Sequence, residues 1–242
     1  MAKELATVIA DSKRIVFFGG AGASTESGIP DFRSGDGLYS RATRTRHAPE
    51  EVLSHSFFVR HPDEFYAYYR AHLLYPDAQP NAAHRALARL EARGTLSAVI
   101  TQNIDGLHQA AGSRRVLELH GSVHRNSCQR CGRSFDLAVI LSAVGVPRCE
   151  CGGIIKPDVV LYEEALDFAV MDAAVAELAA ADTLIVGGTS LVVYPAAGLV
   201  RAFTGSELVL INKEATPYDR QATLVIRRPI GEALGAAVPL VV

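Results

Sequence analysis

Four cysteines stand close together, as Cys128-x-x-Cys131 and Cys149-x-Cys151, and the chain has no others. Four thiolates in two close pairs suit tetrahedral zinc. With every position filled by protein there is no place for a reactive water, so the expected metal is one structural Zn2+. In a reducing compartment such clustering argues for metal over disulfides. The second pair is Cys-x-Cys, which loses the usual knuckle turn, and Gly152-Gly153 supplies backbone freedom just after it. A second group is the run Gly19-Gly20-Ala21-Gly22-Ala23-Ser24-Thr25. A strand, a Gly-rich turn and a helix N-terminus together favour an anion, because free N–H groups and the helix dipole face it. Ser24 and Thr25 are capping types for such a helix, and a pyrophosphate is the expected guest. The third Gly of the dehydrogenase fingerprint is missing, since Gly20-x-Gly22-x-x ends in Thr25. A third group, Gln102, Asn103 and Asp105, suits ribose hydroxyls or a carboxamide. A fourth is His120, whose imidazole, with an ordinary pKa of about 6.5, suits general-base work.

These groups need a frame that brings them to one edge. Apolar runs at 15–18, 96–100, 116–119, 183–186, 208–211 and 223–226 read as strands. Helical patterns at 3–12, 80–94, 106–111, 169–180 and 195–203, and a closing helix, separate or flank them. Alternation at this spacing implies an α/β fold, a Rossmann-like, doubly wound, mostly parallel sheet. In such sheets ligands bind beyond the carboxyl ends of the strands. The strand ends here carry the Gly loop, Gln102 to Asp105, His120, Gly188-Thr189-Ser190 and Asn212-Lys213. Residues 49–75 read as helical, and their aromatics, Phe57, Phe58, Phe65, Tyr66, Tyr68 and Tyr69, read first as core. Residues 34–49, with Arg41, Arg44 and Arg46, have no clear period. Residues 154–161 read as a return to the main sheet.

Composition bounds the function. The 242 residues, 49% hydrophobic and 21% charged, fit a globular protein with a substantial core. A net charge of −2 gives no general drive toward nucleic acid. No apolar run is long enough to span a membrane, and the start, Met-Ala-Lys-Glu-Leu, lacks the apolar core of a signal peptide. A cytoplasmic monomer is expected.

Six blocks in order carry a resemblance: the Gly loop running on into Ile-Pro-Asp-Phe-Arg, Thr-Gln-Asn-Ile-Asp, Glu-Leu-His-Gly, the four cysteines, Gly-Thr-Ser-Leu-Val-Val-Tyr-Pro-Ala, and Ile-Asn. Together they resemble the sirtuin (Sir2) family of NAD-dependent protein deacylases. The resemblance implies one catalytic domain over 1–242. Its large part would cover about 1–35, 75–123 and 157–242, and its small module 36–74 and 124–156, with a zinc ribbon at 124–156. NAD would lie in the cleft as a co-substrate, with an acetyl-lysine peptide between the two parts. Gly20, Ala21, Gly22, Ala23 and Thr25 would line the dinucleotide phosphates. Phe32 would cover the nicotinamide ribose, and Arg33 the ribose–phosphate region. Ile104 and Asp105 would hold the nicotinamide carboxamide, with Asn103 and Gln102 positioning ribose and water. Gly188, Thr189, Ser190, Asn212, Lys213 and Ile230 would hold the adenosine half.

The implied reaction consumes NAD without hydride transfer. The acyl oxygen attacks the ribose as nicotinamide leaves, His120 activates a ribose hydroxyl, and the acyl group ends on ADP-ribose. His120, Asn103 and Asp105 are the expected catalytic residues. The peptide would pair as an added strand with Val160, Leu161 and Tyr162, facing Val193. Glu163 stands where the family pattern has Gly. Sirtuins that remove acidic acyl groups resemble one another in a Tyr-x-x-Arg pair; here Tyr66 is followed at that spacing by Tyr69, with Arg70 one residue late. Tyr66 and Tyr69 are thus expected in or beside the acyl pocket, with neutral acyl groups preferred. A mono-ADP-ribosyltransferase or an NAD hydrolase is the alternative of another class.

Overall fold

Ile15, Val16, Phe17 and Phe18 are completely buried. A fully apolar run can be covered on both faces, and a parallel sheet does this. The computed structural model describes residues 4–31 and 47–239. Within them, β1 (Ile15–Gly19), β2 (Leu96–Thr101), β3 (Val116–Glu118), β7 (Thr183–Gly187), β8 (Glu207–Ile211) and β9 (Leu224–Ile226) form one sheet, ordered β3-β2-β1-β7-β8-β9. All its pairings are parallel. The order reverses between β1 and β7. Gly19 lies level with both Thr101 and Gly187, and Gly187 with Ile211, so these strand ends meet at one edge.

Side chains of β1 alternate between two cores. Ile15 and Phe17 pack with α1 (Leu5–Asp11), α5 (Ala82–Ala92) and α9 (Ile230–Ala237), whereas Val16 and Phe18 pack with α8 (Phe168–Ala180) and the 3-10 segment Ala196–Ala202. This is the period-2 alternation of a strand and gives the expected doubly wound layers. Asn81 opens α5 with a capping box, its Oδ1 accepting from Ala83 N at 2.9 Å while His84 Nδ1 accepts from Asn81 N at 3.2 Å.

A third core belongs to the small module. It is built from α2 (Pro49–Val52), α3 (His55–Arg60), α4 (Pro62–His72), α7 (Leu137–Ser142) and a three-stranded antiparallel sheet of β5 (Ser134–Phe135), β4 (Gly121–Cys128) and β6 (Ile155–Val159). β6 therefore corrects the expectation that 154–161 returns to the main sheet. It pairs with β4, Ile155 against Cys128, because Ile155 and Val159 bury their side chains among the aromatics of α3 and α4.

Two other expectations change. The Gly loop opens no α-helix among the described residues but two 3-10 turns, Ala21–Ala23 and Thr25–Ser27, closed by Gly28 at φ 84°. Ser24 caps neither with its side chain. The segment after Pro195 is likewise 3-10 rather than a regular helix. Among the described residues no helix is long and apolar enough to cross a membrane.

Candidate active site

A cleft of about 1070 Å³ runs along the carboxyl edge of the parallel sheet, between it and the small module. Its walls carry Ala21, Gly22, Thr25, Gln102, Asn103, Ile104, Asp105, His120, Gly188, Thr189, Ser190, Asn212, Lys213 and Ile230. Val160, Leu161, Tyr162 and Val193 also line it. Gly20 and Ala23 lie behind this wall. Phe32 and Arg33 fall outside the described residues.

The loops at the sheet edge fit without room for side chains. A Cβ on Gly22 would come within 2.7 Å of Gly188 Cα, and one on Gly188, at φ 62°, within 2.3 Å of Ala23 N. Gly22 N donates to Gly188 O at 2.8 Å and Gly188 N to Ile211 O at 3.1 Å, so three neighbouring strand ends are stitched together. That close approach leaves backbone rather than side chains on the cleft wall, which fits a pyrophosphate. Glu26 holds the loop from behind by accepting from Gly231 N, at the start of α9, at 2.6 Å.

Ser24 links this loop to the next strand end. Its hydroxyl donates to Asp105 Oδ2 at 2.6 Å and accepts from Asn103 Nδ2 at 3.0 Å. Asp105 Oδ1 accepts from Leu107 N at 2.9 Å, just ahead of α6 (Leu107–Ala110). His124, from β4, donates through Nε2 to Asp105 O at 3.0 Å. The Asp105 carboxylate is thereby fixed in direction, and each oxygen keeps a second lone pair for a carboxamide. Gln102 Nε2 reaches Thr189 Oγ1 at 3.2 Å across the cleft floor. Sequence reasoning missed Glu26, His124 and the Ser24 bridge. Their partners are 205, 19 and 81 residues away, and no local pattern encodes such pairs.

His120 follows β3 and faces the cleft. Its Nδ1 lies 2.9 Å from Gln102 O. A carbonyl only accepts, so Nδ1 carries the proton and Nε2 keeps its lone pair for a substrate proton. Burial pushes the His120 pKa below the ordinary histidine value, with the Gln102 carbonyl opposing it. The ring is thus neutral at neutral pH and in the tautomer a base requires.

Two placements correct the sequence reading. Tyr66 and Tyr69 are completely buried in the small-module core and do not line the cleft. Tyr66 donates its hydroxyl to Ile155 O, and Tyr69 stacks on Phe65 with ring centroids 5.6 Å apart. On a helix this rich in aromatics, the stripe holding both tyrosines is the one packed inward. Arg70 is also turned away, donating to Ile140 O at 2.9 Å and Gly145 O at 2.7 Å.

The four cysteine Sγ atoms all lie within 4.8 Å of one another. Cys128 and Cys151 are 3.4 Å apart, and Cys131 and Cys149 3.7 Å. A tetrahedral zinc at ~2.3 Å from each sulfur sets neighbouring sulfurs roughly 3.8 Å apart, so the donor set fits. The Cys131 amide, ahead of that of Arg130 and against burial, pulls the Cys128 thiol down to about 6, toward the thiolate a metal needs. The Cys-x-Cys pair is accommodated because Gly152, at φ 83°, turns the chain, and Gly152 N donates to Cys149 O at 2.8 Å.

The Sir2 family model matches residues 20–195. The NAD-dependent protein deacetylase of Clostridium acetobutylicum is 58% identical over 233 residues, which cover 96% of this chain and 95% of that protein. A mutant Sir2 homologue in complex with ADP-ribose superposes with a TM-score of 0.89 at 40% identity, covering 98% of this chain and 95% of the other. A Sir2 complex with a p53 peptide and NAD+ gives 0.83 at 40% identity, covering 97% and 95%. The match spans the Gly loop, the His120 strand end, the four-cysteine module and the second small-residue turn, and this chain belongs to the Sir2 family.

Proposed function

We propose that this protein is an NAD-dependent protein-lysine deacetylase, transferring the acetyl group of acetyl-lysine to ADP-ribose with release of nicotinamide. The observation that carries it is His120, held as a neutral base facing the cleft, in a family whose relatives are named for this reaction. NAD supplies the ribose acceptor and the nicotinamide leaving group. The chain supplies position and proton handling. The backbone of Ala21, Gly22 and Gly188 receives the phosphates, and Lys213 at the far end of the cleft adds positive charge for the adenosine half. Thr25, Thr189, Ser190, Asn212 and Ile230 complete the cofactor wall, and Gly20 and Ala23 support it from behind. Ile104 and Asp105 bind the carboxamide, and Asn103 and Gln102 orient ribose and water. His120 Nε2 takes the ribose hydroxyl proton. The peptide lies along Val160, Leu161 and Tyr162 opposite Val193, and because the amides and carbonyls of Leu161 and Tyr162 bond within the protein, its backbone partners on this segment are those of Glu163. The zinc site holds the small module together and takes no part in bond making. A cytoplasmic monomer acting on acetylated proteins is the setting we assign, with the large and small parts divided as the sequence resemblance implies.

Mass spectrometry of the products from NAD and an acetyl-lysine peptide tests this reading. Acetyl-ADP-ribose with free lysine supports it. ADP-ribosylated protein would replace it by transferase activity, and free ADP-ribose formed without peptide by NAD hydrolysis.

A further inference from the structure

Glu163 sits at φ 75°, one of two non-glycine residues with positive φ among those described. A glycine would take this backbone without steric cost, and a glutamate does not. Its side chain supplies a reason for retaining it. The carboxylate accepts from Ser56 N at 2.8 Å and Ser56 Oγ at 3.0 Å, on the first turn of α3. Ser54 caps the same turn by accepting from Phe57 N at 3.2 Å. Glu163 thereby satisfies a helix-start N–H that the Ser54 cap leaves open.

The neighbouring contacts all pull the same way. Tyr162 N donates to Leu53 O at 3.0 Å, and His55 N donates to Tyr162 O at 3.0 Å. Glu164 accepts from Leu161 N at 2.9 Å and from the buried Lys156 Nζ at 3.1 Å, and it pairs with His55 Nδ1 at 2.8 Å. The amide and carbonyl of Leu161 and Tyr162 are thus spent on protein. Those of Glu163 have no protein partner among the described residues, and Glu163 lines the cleft.

We propose that Glu163 is a positioning residue for the peptide: its carboxylate, latched on Ser56, fixes the left-handed backbone that turns its own free amide and carbonyl toward the incoming substrate strand. The inference rests on the peptide-binding reading of this segment. A side chain held by two hydrogen bonds replaces the conformational freedom of a glycine, so the strand edge is ordered before the peptide arrives and less ordering is needed on binding.

The test compares wild type with Glu163→Gly, Glu163→Ala and Glu163→Gln, each on an acetyl-lysine peptide at saturating NAD. Loss of a cap of this kind corresponds to about a fivefold effect. Glu163→Gly and Glu163→Ala should raise the peptide KM about fivefold, with kcat and the NAD KM within about twofold, while Glu163→Gln, keeping one acceptor, should fall between. A peptide KM unchanged in Glu163→Gly, or an NAD KM rising in step with it, would overturn the assignment. Hydrogen exchange of the ligand-free protein gives a readout independent of turnover. The Ser56 amide should exchange severalfold faster in Glu163→Ala than in wild type, and equal exchange would show that there is no latch. If wild type made no acetyl-ADP-ribose, the deacetylase reading would fall, and the exchange measurement would still decide whether the latch exists.

Discussion

At the scale of single residues, the environment of His120 sets both its tautomer and its protonation. Because Nδ1 is held by Gln102 O, only Nε2 can take a proton from substrate. His120→Ala should keep NAD binding, measured by calorimetry, and lower deacetylation by on the order of a hundredfold; near-normal turnover would remove the base role. Burial lowers the His120 pKa, and the neutral form is the active one. The acid limb of kcat/KM should therefore reach half-maximum below about 6.5, the ordinary histidine value, and a limb above it would contradict the assignment. The residue types of this site were legible because each follows directly on a strand. Tyr66 and Tyr69 were not, since their spacing places them on one helix face without saying which side that face meets. Neutral acyl groups remain the expected substrates for a different reason. Arg70, the cation nearest in sequence to the family's Arg position, is turned to Ile140 O and Gly145 O, outside the cleft. Burying an unpaired carboxylate costs several kcal/mol. One peptide carrying acetyl- or succinyl-lysine should be turned over with the higher kcat/KM in the acetyl form, and the reverse order would show a cation reaching the acyl group.

At the scale of elements, the strands of the main sheet were readable to within a residue or two, since consecutive apolar residues need cover on both faces. β6 was not readable in this way. Its apolar residues suit either sheet, and its partner β4 is fixed by the cysteine module. The tip of that module is held by the buried Ile140 and by Arg70, which donates to Ile140 O and Gly145 O. Beyond these contacts packing is thin: Val144 is fully exposed and Leu141 45% exposed, and β5 is only two residues long. Four metal–thiolate bonds can supply what the apolar core there cannot. Chelation should raise hydrogen exchange across 124–156 and abolish activity as a consequence, while β1, β2 and β7 stay protected. Active protein containing well under one zinc per chain would refute a structural metal. β6 carries the consequence to the substrate side, because it leads directly into Val160 and Leu161.

At the scale of the whole molecule, the main core and the cleft meet at two buried histidines. His84 of α5 and His108 of α6 are almost wholly excluded from solvent, with ring centroids 4.7 Å apart, and His108 packs 5.9 Å from Phe17. His84 Nδ1 accepts from Asn81 N, so its proton is on Nε2, which has no hydrogen-bond partner among the described residues; neither nitrogen of His108 has one there either. Burial first, with Arg85 adding to it and Asp105 opposing, lowers the His84 pKa to about 4. Burial, with His84 adding to it, lowers that of His108 to about 3. Above about pH 6.5 neither the folded nor the unfolded chain protonates these rings, and they impose no pH dependence. Below it the unfolded chain takes up protons that the folded one refuses, so stability is lost progressively as the pH falls toward about 4. Each ring contributes on the order of 3 kcal/mol at the acid end, and the coupled pair less than twice that. That is a large share of a typical domain stability of about 5–15 kcal/mol. The urea midpoint, followed by far-ultraviolet circular dichroism because the chain has no tryptophan, should fall steeply between pH 6.5 and 4.5. His108→Leu fills the site with an apolar side chain and removes one titrating ring. Its midpoint should fall less over the same interval, and an acid dependence as steep as that of wild type would show that the loss of stability arises elsewhere.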